Sequence, residues 1–298
     1  MPDLLQHLLH NLDWVLPLRS DWLTLLMHGF SLLGYEKFIL FFLPLGYWAW
    51  NRPLFLRLFV LVTISALLNA YLKDLWQDPR PPLEMRLDDL VGASYGLPSG
   101  HSQVAVVLWL WLAYELRRTW AWLLCVFIVL AIMFSRLYLA AHDLEDVLGG
   151  GLIGGATLIL FAQVKDWRCW SAANLPGHLV LIVAVALLSF FTWPGTPPSY
   201  IPLLGGMLIG VLLGNARQPF TPPVLLWQRG VVALIGSLAF IAVQISLKKL
   251  EPLLGLEPLL WQGLRGLVMG LFVGLLMPWL FIRAHMLTAR RAGSLLRG

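Results

Sequence analysis

Apolar runs close to the length of a bilayer-crossing helix, about 20 residues, follow one another along almost the whole chain, each closed by charge, proline or glycine. Of 298 residues, 59% are hydrophobic and 12% are charged, against about 25% charged in a soluble domain. Mean hydropathy is +0.76. The pattern predicts an all-α, polytopic transmembrane helix bundle. Spans fall near 36 to 50, 53 to 72, 101 to 116, 119 to 138, 142 to 164, 177 to 193, 200 to 214, 230 to 247 and 264 to 284, about nine in all. The stretch Trp22 to Leu33 is a further span, a half-helix or the start of the first one. Tryptophans at the ends of these runs, among them Trp48, Trp50, Trp120, Trp167, Trp170, Trp193 and Trp261, suit interfacial belts or core packing.

The net charge of +5 does not point to nucleic acid, because the basic residues are scattered between apolar runs rather than gathered on one face. They report orientation instead. Arg52, Arg57, Arg117, Arg118, Lys165, Arg168, Arg217, Arg229, Arg283, Arg290, Arg291 and Arg297 fall on one side, which is read as cytoplasmic. Lys73, Arg80, Arg86 and Arg136 fall on the other, with Lys37, Arg265, Lys248 and Lys249. Cys125 and Cys169 have neither disulfide-framework nor metal-type spacing and read as packing residues. Met1 to Asp13 lacks the basic start of a signal peptide. Its Leu4, Leu5, Leu8, Leu9 and Leu12, with Val15 beyond, follow helical spacing and predict an interfacial helix.

Three regions result: an N-terminal interfacial segment over 1–35, core helices over 36–165, and an accessory bundle of about four helices over 166–298. The core region holds the longest polar connection, Asp74 to Gly100, read as a lid or substrate-binding segment with a passive connector as the alternative. In the accessory region Gly205, Gly206 and Gly210 permit close helix packing.

Ionisable groups at helix edges in a membrane are costly, so their clustering in three short segments points to chemistry. In the first, Lys73 and Arg80 stand seven residues apart, and a helix continuing past the membrane edge would place both on one face. In the second, Pro98-Ser99-Gly100-His101, Ser99 and Gly100 fall at a helix N-terminus, where free N–H groups favour an anion. In the third, His142 and Asp146 are four apart at the predicted start of a helix and share a face, while Arg136 offers a fork for two anion oxygens. A carboxylate holding one ring nitrogen leaves the other free to attack. Taken singly, each segment has a plain structural alternative: snorkelling cations, an ordinary helix start, or first-turn acids, the last preferred for Asp143 and Glu145. The remaining histidines, His7, His10, His28, His178 and His285, read as structural.

Taken together, the three segments fill every position of the K-x6-RP, PSGH and SR-x5-H-x3-D pattern and resemble the type-2 phosphatidic acid phosphatase superfamily over roughly residues 36 to 165. The resemblance implies a metal-independent, cofactor-free lipid phosphatase. By that resemblance His142 is the nucleophile that forms a phosphohistidine, Asp146 orients it and His101 is the general acid and base. Lys73, Arg80, Ser99, Gly100 and Arg136 bind the phosphoryl oxygens. The acidic surroundings of His142, with Asp143 and Glu145, depart from the family's usual apolar or proline residues. Resemblance to bacterial members further implies an inner-membrane enzyme whose site faces outside with its C-terminus in the cytoplasm, acting on a membrane lipid phosphate, with undecaprenyl or another polyprenyl diphosphate favoured. Alternatives are phosphatidylglycerophosphate, phosphatidic acid, lipid A or a sphingoid phosphate as substrate, phosphotransfer to a second lipid, or a lipid transporter or binding protein. The last is disfavoured, because the accessory spans lack an embedded acid or base of the kind coupled transport uses.

Overall fold

A computed structural model of the chain describes residues 9–92, 94–165 and 174–289. We number its helices α1 Asp21–Leu32, α2 Glu36–Ala49 and α3 Arg52–Trp76, followed by α4, which runs through Gly100–Ala105, a π-helical Val106–Leu110 and Trp111–Leu116. Then come α5 Thr119–Tyr138, α6 Leu144–Val164, α7 Leu175–Thr192, α8 Tyr200–Arg217, α9 Leu226–Leu254 and α10 Pro258–Arg283, the last also with a π turn at Phe272–Leu276. Among the described residues the only strands are a two-residue antiparallel pair, Phe220 with Ala289 and Thr221 with Thr288.

The chain is an integral membrane protein with an all-α architecture. Seven described helices, α3 and α5 to α10, are long and apolar enough to cross a membrane, and the bent pair α1 and α2 makes an eighth candidate. The expectation of about nine therefore comes out slightly lower. The difference lies in α2 and α4, each shorter than a full crossing, α2 broken from α1 at 33–35. Local chemistry sets the boundaries. Left-handed Gln77 ends α3, left-handed Arg117 separates α4 from α5, and Gly255 at φ +57° closes α9. Glu257 caps α10 by accepting from Leu259 and Leu260 N–H, with Pro258 at its first position.

The chain divides into two compact units, residues 1–39 with 64–162, and residues 40–63 with 163–298. In the first, α4 packs on α5, and α6 lies close to α4 because Gly150 and Gly154 present no side chain. A Cβ on either would fall within 3.0 Å of the Ser99 or Gln103 carbonyl. A polar ladder joins α3 to α4: Gln103 Nε2 donates to the Ser65 carbonyl (3.0 Å) and hydroxyl (3.1 Å), and Asn69 Nδ2 donates to Gln103 Oε1 (2.9 Å) and the Pro98 carbonyl (3.0 Å).

The N-terminal segment differs from the interfacial helix its spacing predicts. Leu4, Leu5, Leu8 and His7 lie outside the described residues, but Leu12 and Val15 are buried in a core with Met27, Leu137, Tyr138, Leu139, Ala140 and Val147. Arg19 anchors the segment there, donating to the Met85 (2.8 Å) and Tyr138 (3.2 Å) carbonyls. Cys169, Trp167, Trp170, Arg168, Arg290, Arg291 and Arg297 also lie outside the described residues, and Cys125 is a buried free thiol.

In the second unit the close packing runs along α8 and α10. A Cβ added to Gly206, Gly210 or Gly214 would fall within 3.0 Å of backbone atoms of α10, and one added to Gly266, Gly270 or Gly274 within 3.0 Å of backbone atoms of α8. Backbones in direct contact are what small residues permit in a membrane bundle.

Candidate active site

The three segments converge at one end of the first unit. His142 lies just before α6, in the bend after α5, with Ala141 N and His142 N bonded back to the Arg136 carbonyl. Asp146 sits in the first turn of α6, and its carbonyl accepts from Ser99 N–H at 2.8 Å, joining the second and third segments. Ser99 caps α4, its hydroxyl facing Ser102 N–H at 3.5 Å, and the helix begins at Gly100. Gly100 packs on Asn69, where a Cβ would meet the amide oxygen at 3.0 Å.

His142 Nδ1 lies 2.7 Å from Asp146 Oδ2, both groups buried. His142 Nε2 lies 3.0 Å from Arg80 Nη1. A guanidinium can only donate, so Nε2 accepts and the ring proton sits on Nδ1, facing Asp146. The tautomer follows from the partners alone. Burial, then the nearby Arg80 and Lys73, holds the His142 imidazole well below its ordinary 6.5, so it is neutral near pH 7. The uncharged ring keeps a lone pair on Nε2, the atom that faces Arg80.

The cations arrive differently from the sequence expectation. The helix carrying Lys73 stops at Trp76, so Lys73 and Arg80 share no helix face; the left-handed turn at Gln77 brings Arg80 round instead. Both are held by the loop before α4. Lys73 Nζ donates to the Gly96 carbonyl (2.7 Å) and to that of Tyr95. Arg80 donates to the Ser94 carbonyl (2.6 Å), its hydroxyl (3.0 Å) and the Ala141 carbonyl (2.8 Å). Burial, then repulsion from Arg136, brings the Arg80 guanidinium down to about 10, still fully charged near neutrality.

Arg136, 1% exposed, pairs with Asp88 at 2.7 Å and also donates to the Ser31 hydroxyl. Asp88 further accepts from the Tyr35 hydroxyl at 2.6 Å. Burial alone would raise the Asp88 carboxyl, but Tyr35 and Arg136 hold it below the usual carboxylate range. The His101 ring stands edge-on to Tyr35 with centroids 4.4 Å apart, and its Nε2 is buried without a hydrogen-bond partner. A Cβ on Gly34 would fall 2.6 Å from this ring, so the break between α1 and α2 also shapes its place.

The acids around His142 are engaged elsewhere. Asp143 Oδ1 accepts from Asp146 N–H (3.0 Å), while Asp143 Oδ2 lies 2.6 Å from His10 Nδ1 and Glu145 lies 3.2 Å from His10 Nε2. The residues that sequence reasoning passed over are Asp88, Tyr35, Asn69 and Ser94. Asn69 carried a signal, an amide inside an apolar span; the others find partners too far along the chain to be read from spacing. Beside the site, Leu9, Trp76, Leu97, Glu145, Leu148, Gly149, Leu152 and Ile153 line an open, mostly apolar groove of about 380 Å³. Among the described residues no group of three or more His, Cys, Asp or Glu is arranged to hold a metal ion.

Comparison of the sequence with known proteins points to one family. Residues 54–170 match the family model of the PAP2 superfamily, and residues 199–291 match that of the PAP2 superfamily phosphatase, transmembrane extension. Sphingosine-1-phosphate phosphatase 2 of Mus musculus is 31% identical over 173 residues, covering 54% of this chain and 48% of that protein. Phosphatidylglycerophosphatase B of Bacillus subtilis is 29% identical over 166 residues, covering 50% of this chain and 77% of that protein. A solved transmembrane PAP2-type phosphatidylglycerolphosphate phosphatase from Bacillus subtilis aligns with a TM-score of 0.46 at 25% identity, over 53% of this chain and 84% of that one. The chain spans about half or less of the length of the sphingosine-phosphate phosphatases it matches. Since the first model encloses all three motif segments and the second takes in the apolar helices beyond them, the chain belongs to the PAP2 superfamily.

Proposed function

We propose that this protein is a membrane lipid phosphatase that works through a phosphohistidine on His142. The observation that carries the reading is the fixed tautomer of His142: Nδ1–H on Asp146 and a bare Nε2 on the donor of Arg80. In the first step Nε2 attacks phosphorus, forming the N–P bond as the P–O bond to the lipid breaks, and His101 supplies the proton to the leaving oxygen. Asp146 stabilises the positive charge that develops on the imidazole. In the second step His101 takes a proton from water as its oxygen attacks phosphorus; the N–P bond breaks, its electron pair returns to His142 Nε2, and phosphate is released. Arg80, Lys73, Arg136, the Ser99 hydroxyl and the N–H groups at Gly100 would bind the three equatorial oxygens. Arg80 then changes partner, from Nε2 and the Ser94 carbonyl to phosphate, as substrate enters.

The apolar groove beside the third segment suits a lipid chain, with the phosphate at headgroup level. The pattern of Lys and Arg along the chain supports a site on the extracytoplasmic side. Substrates to test first are a sphingoid-base phosphate and phosphatidylglycerophosphate, the classes named by the relatives, together with undecaprenyl diphosphate and phosphatidic acid. The test is phosphate release by purified protein with chelator present, wild type against His142→Ala. Release from at least one lipid, abolished by the substitution, is expected. A folded wild type inert on all four overturns the reading, and product lipid carrying the phosphate would make the protein a phosphotransferase.

A further inference from the structure

The two histidines of the site are held in different ways. His142 is fixed by a carboxylate, Asp146 at 2.7 Å, whereas His101 Nε2 is buried with no hydrogen-bond partner among the described residues. A general acid still has to aim a ring nitrogen at the leaving oxygen, so packing has to set the plane of this imidazole. Two residues at the break between α1 and α2 provide that packing. The His101 ring lies against the backbone of Gly34, where an added Cβ would fall 2.6 Å from Cδ2 and 3.1 Å from Cγ. The Tyr35 ring meets the imidazole at 88° with centroids 4.4 Å apart, an edge-to-face arrangement that aromatic pairs favour. Tyr35 is itself tethered at its far end. Its hydroxyl donates to Asp88 Oδ2 at 2.6 Å, the same oxygen that accepts from Arg136 Nη1 at 2.7 Å. The Arg136 guanidinium lies over the Tyr35 ring, 5.8 Å from its centroid. One tyrosine thus touches the second motif segment through His101 and the third through Arg136, and belongs to neither.

We infer that Tyr35 is a positioning residue of this site: its ring, tethered through the hydroxyl to Asp88, holds the His101 imidazole against Gly34 and fixes the direction in which Nε2 delivers its proton. The inference rests on the proposed role of His101. Asp88 is a firm anchor, because it also pairs with Arg136 and accepts from Leu90 N–H at 3.1 Å. Ser31, four residues before Tyr35, accepts from the same arginine, so the break between α1 and α2 is bonded to Arg136 on both sides. A second carboxylate would orient His101 only by placing negative charge beside the phosphate. An aromatic ring orients it without charge and without occupying a ring nitrogen. A misplacement of about 1 Å at a reacting group can cost about a hundredfold in rate, so a rigid seat for the acid matters to turnover.

The test compares wild type, Tyr35→Phe, Tyr35→Leu and Gly34→Ala on whichever of the four lipid phosphates above is turned over fastest, with folding checked by thermal unfolding. Tyr35→Leu is also made in His101→Ala. The phenylalanine keeps the ring and should lose no more than about threefold in kcat. The leucine removes the ring, and the alanine methyl displaces the imidazole. Each should lose about tenfold or more in kcat, with KM changed by less than about twofold. Measured against the residual turnover of His101→Ala, Tyr35→Leu should change kcat by less than about twofold, because a residue that acts through His101 has nothing left to act on. Three results would overturn the inference: a leucine or alanine variant as active as wild type, a phenylalanine as impaired as the leucine, or a loss of about tenfold that recurs in His101→Ala. Should wild type turn over no lipid phosphate, the proposed function falls separately. The seat is then read from the 1H–13C resonances of the His101 ring, assigned by their loss in His101→Ala. They are expected to shift in Tyr35→Leu and to stay near their wild-type positions in Tyr35→Phe; resonances unmoved by the leucine overturn it.

Discussion

In the motif-bearing unit, charged and polar side chains are buried in contact with one another: Lys73, Asp88, Arg136, His142, Asp143 and Asp146 around the site, with Asn69, Ser65 and Gln103 behind them. In the other unit the buried polar residues described are few, Arg57, His178, Asn215 and Ser237, and the closest contacts are glycine backbones along α8 and α10. Withdrawing a charge from water is expensive unless it is paired. A bundle that only needs to cohere in lipid does so with van der Waals contact between small residues, as the second unit does. The first unit accepts the cost of burying charge, and it does so where a phosphate would be held. Its cations are held by loop carbonyls and Asp88, so they are positioned before any ligand arrives.

The contrast predicts where substitutions act. The largest effect belongs to His142: alanine there should lower turnover about a thousandfold or more without loss of folding, checked by phosphate release beside thermal unfolding. Equal turnover in variant and wild type would break the contrast at its centre.

Next is the Arg136–Asp88 pair. Asp88→Ala leaves a guanidinium buried and unpaired and should destabilise the protein by about 3–5 kcal/mol, read from thermal or denaturant unfolding. Because Asp88 is held below its ordinary 3.8, this stabilisation is complete above that value and is lost as pH falls through the lower folded value. A wild-type stability that stays flat through that acid range, or that rises on acidification, would contradict the pairing.

Gly270→Ala, in the glycine seam, should cost about 1–3 kcal/mol through overpacking, while kcat/KM of the folded fraction stays within about twofold of wild type. A large loss of kcat/KM at unchanged stability would show that the seam serves the chemistry and would dissolve the distinction between the units.

The smallest effect concerns His10. Its bond to Asp143 raises the imidazole above the ordinary 6.5, so the contact is fully formed below pH 6.5 and weakens as pH rises through the higher folded value. Proteolysis near residue 12 should therefore quicken with pH in wild type, and His10→Ala should remove that pH dependence. Cleavage that slows as pH rises would contradict the pairing.

Much of the site was legible in order and spacing. Ser99 and Gly100 start a helix as their chemistry predicts, and His142 and Asp146 meet at four-residue spacing, although His142 stands before the helix rather than on it. The helical link between Lys73 and Arg80 was not legible, because a single residue, Gln77, takes a left-handed conformation that propensity does not favour. Asp88 sits among other loop acids, and only the fold brings it to Arg136, 48 positions away. Leu12 and Val15 have the spacing of an interfacial helix, yet a protein core was available to them, and hydrophobic pattern alone does not say which apolar surface a segment meets. The glycines of α8 were readable as a packing face, but their partners in α10 were not.

A phosphohistidine mechanism requires that phosphorus be bonded to His142 during turnover. Rapid quench of wild type with its preferred lipid phosphate into base, followed by mass spectrometry of the peptide containing His142, tests it directly. An acid-labile phosphoryl group on His142 that appears with substrate and decays with phosphate release is the predicted result. Phosphate release that persists in His142→Ala, or a phosphoryl group on any other residue, would contradict it.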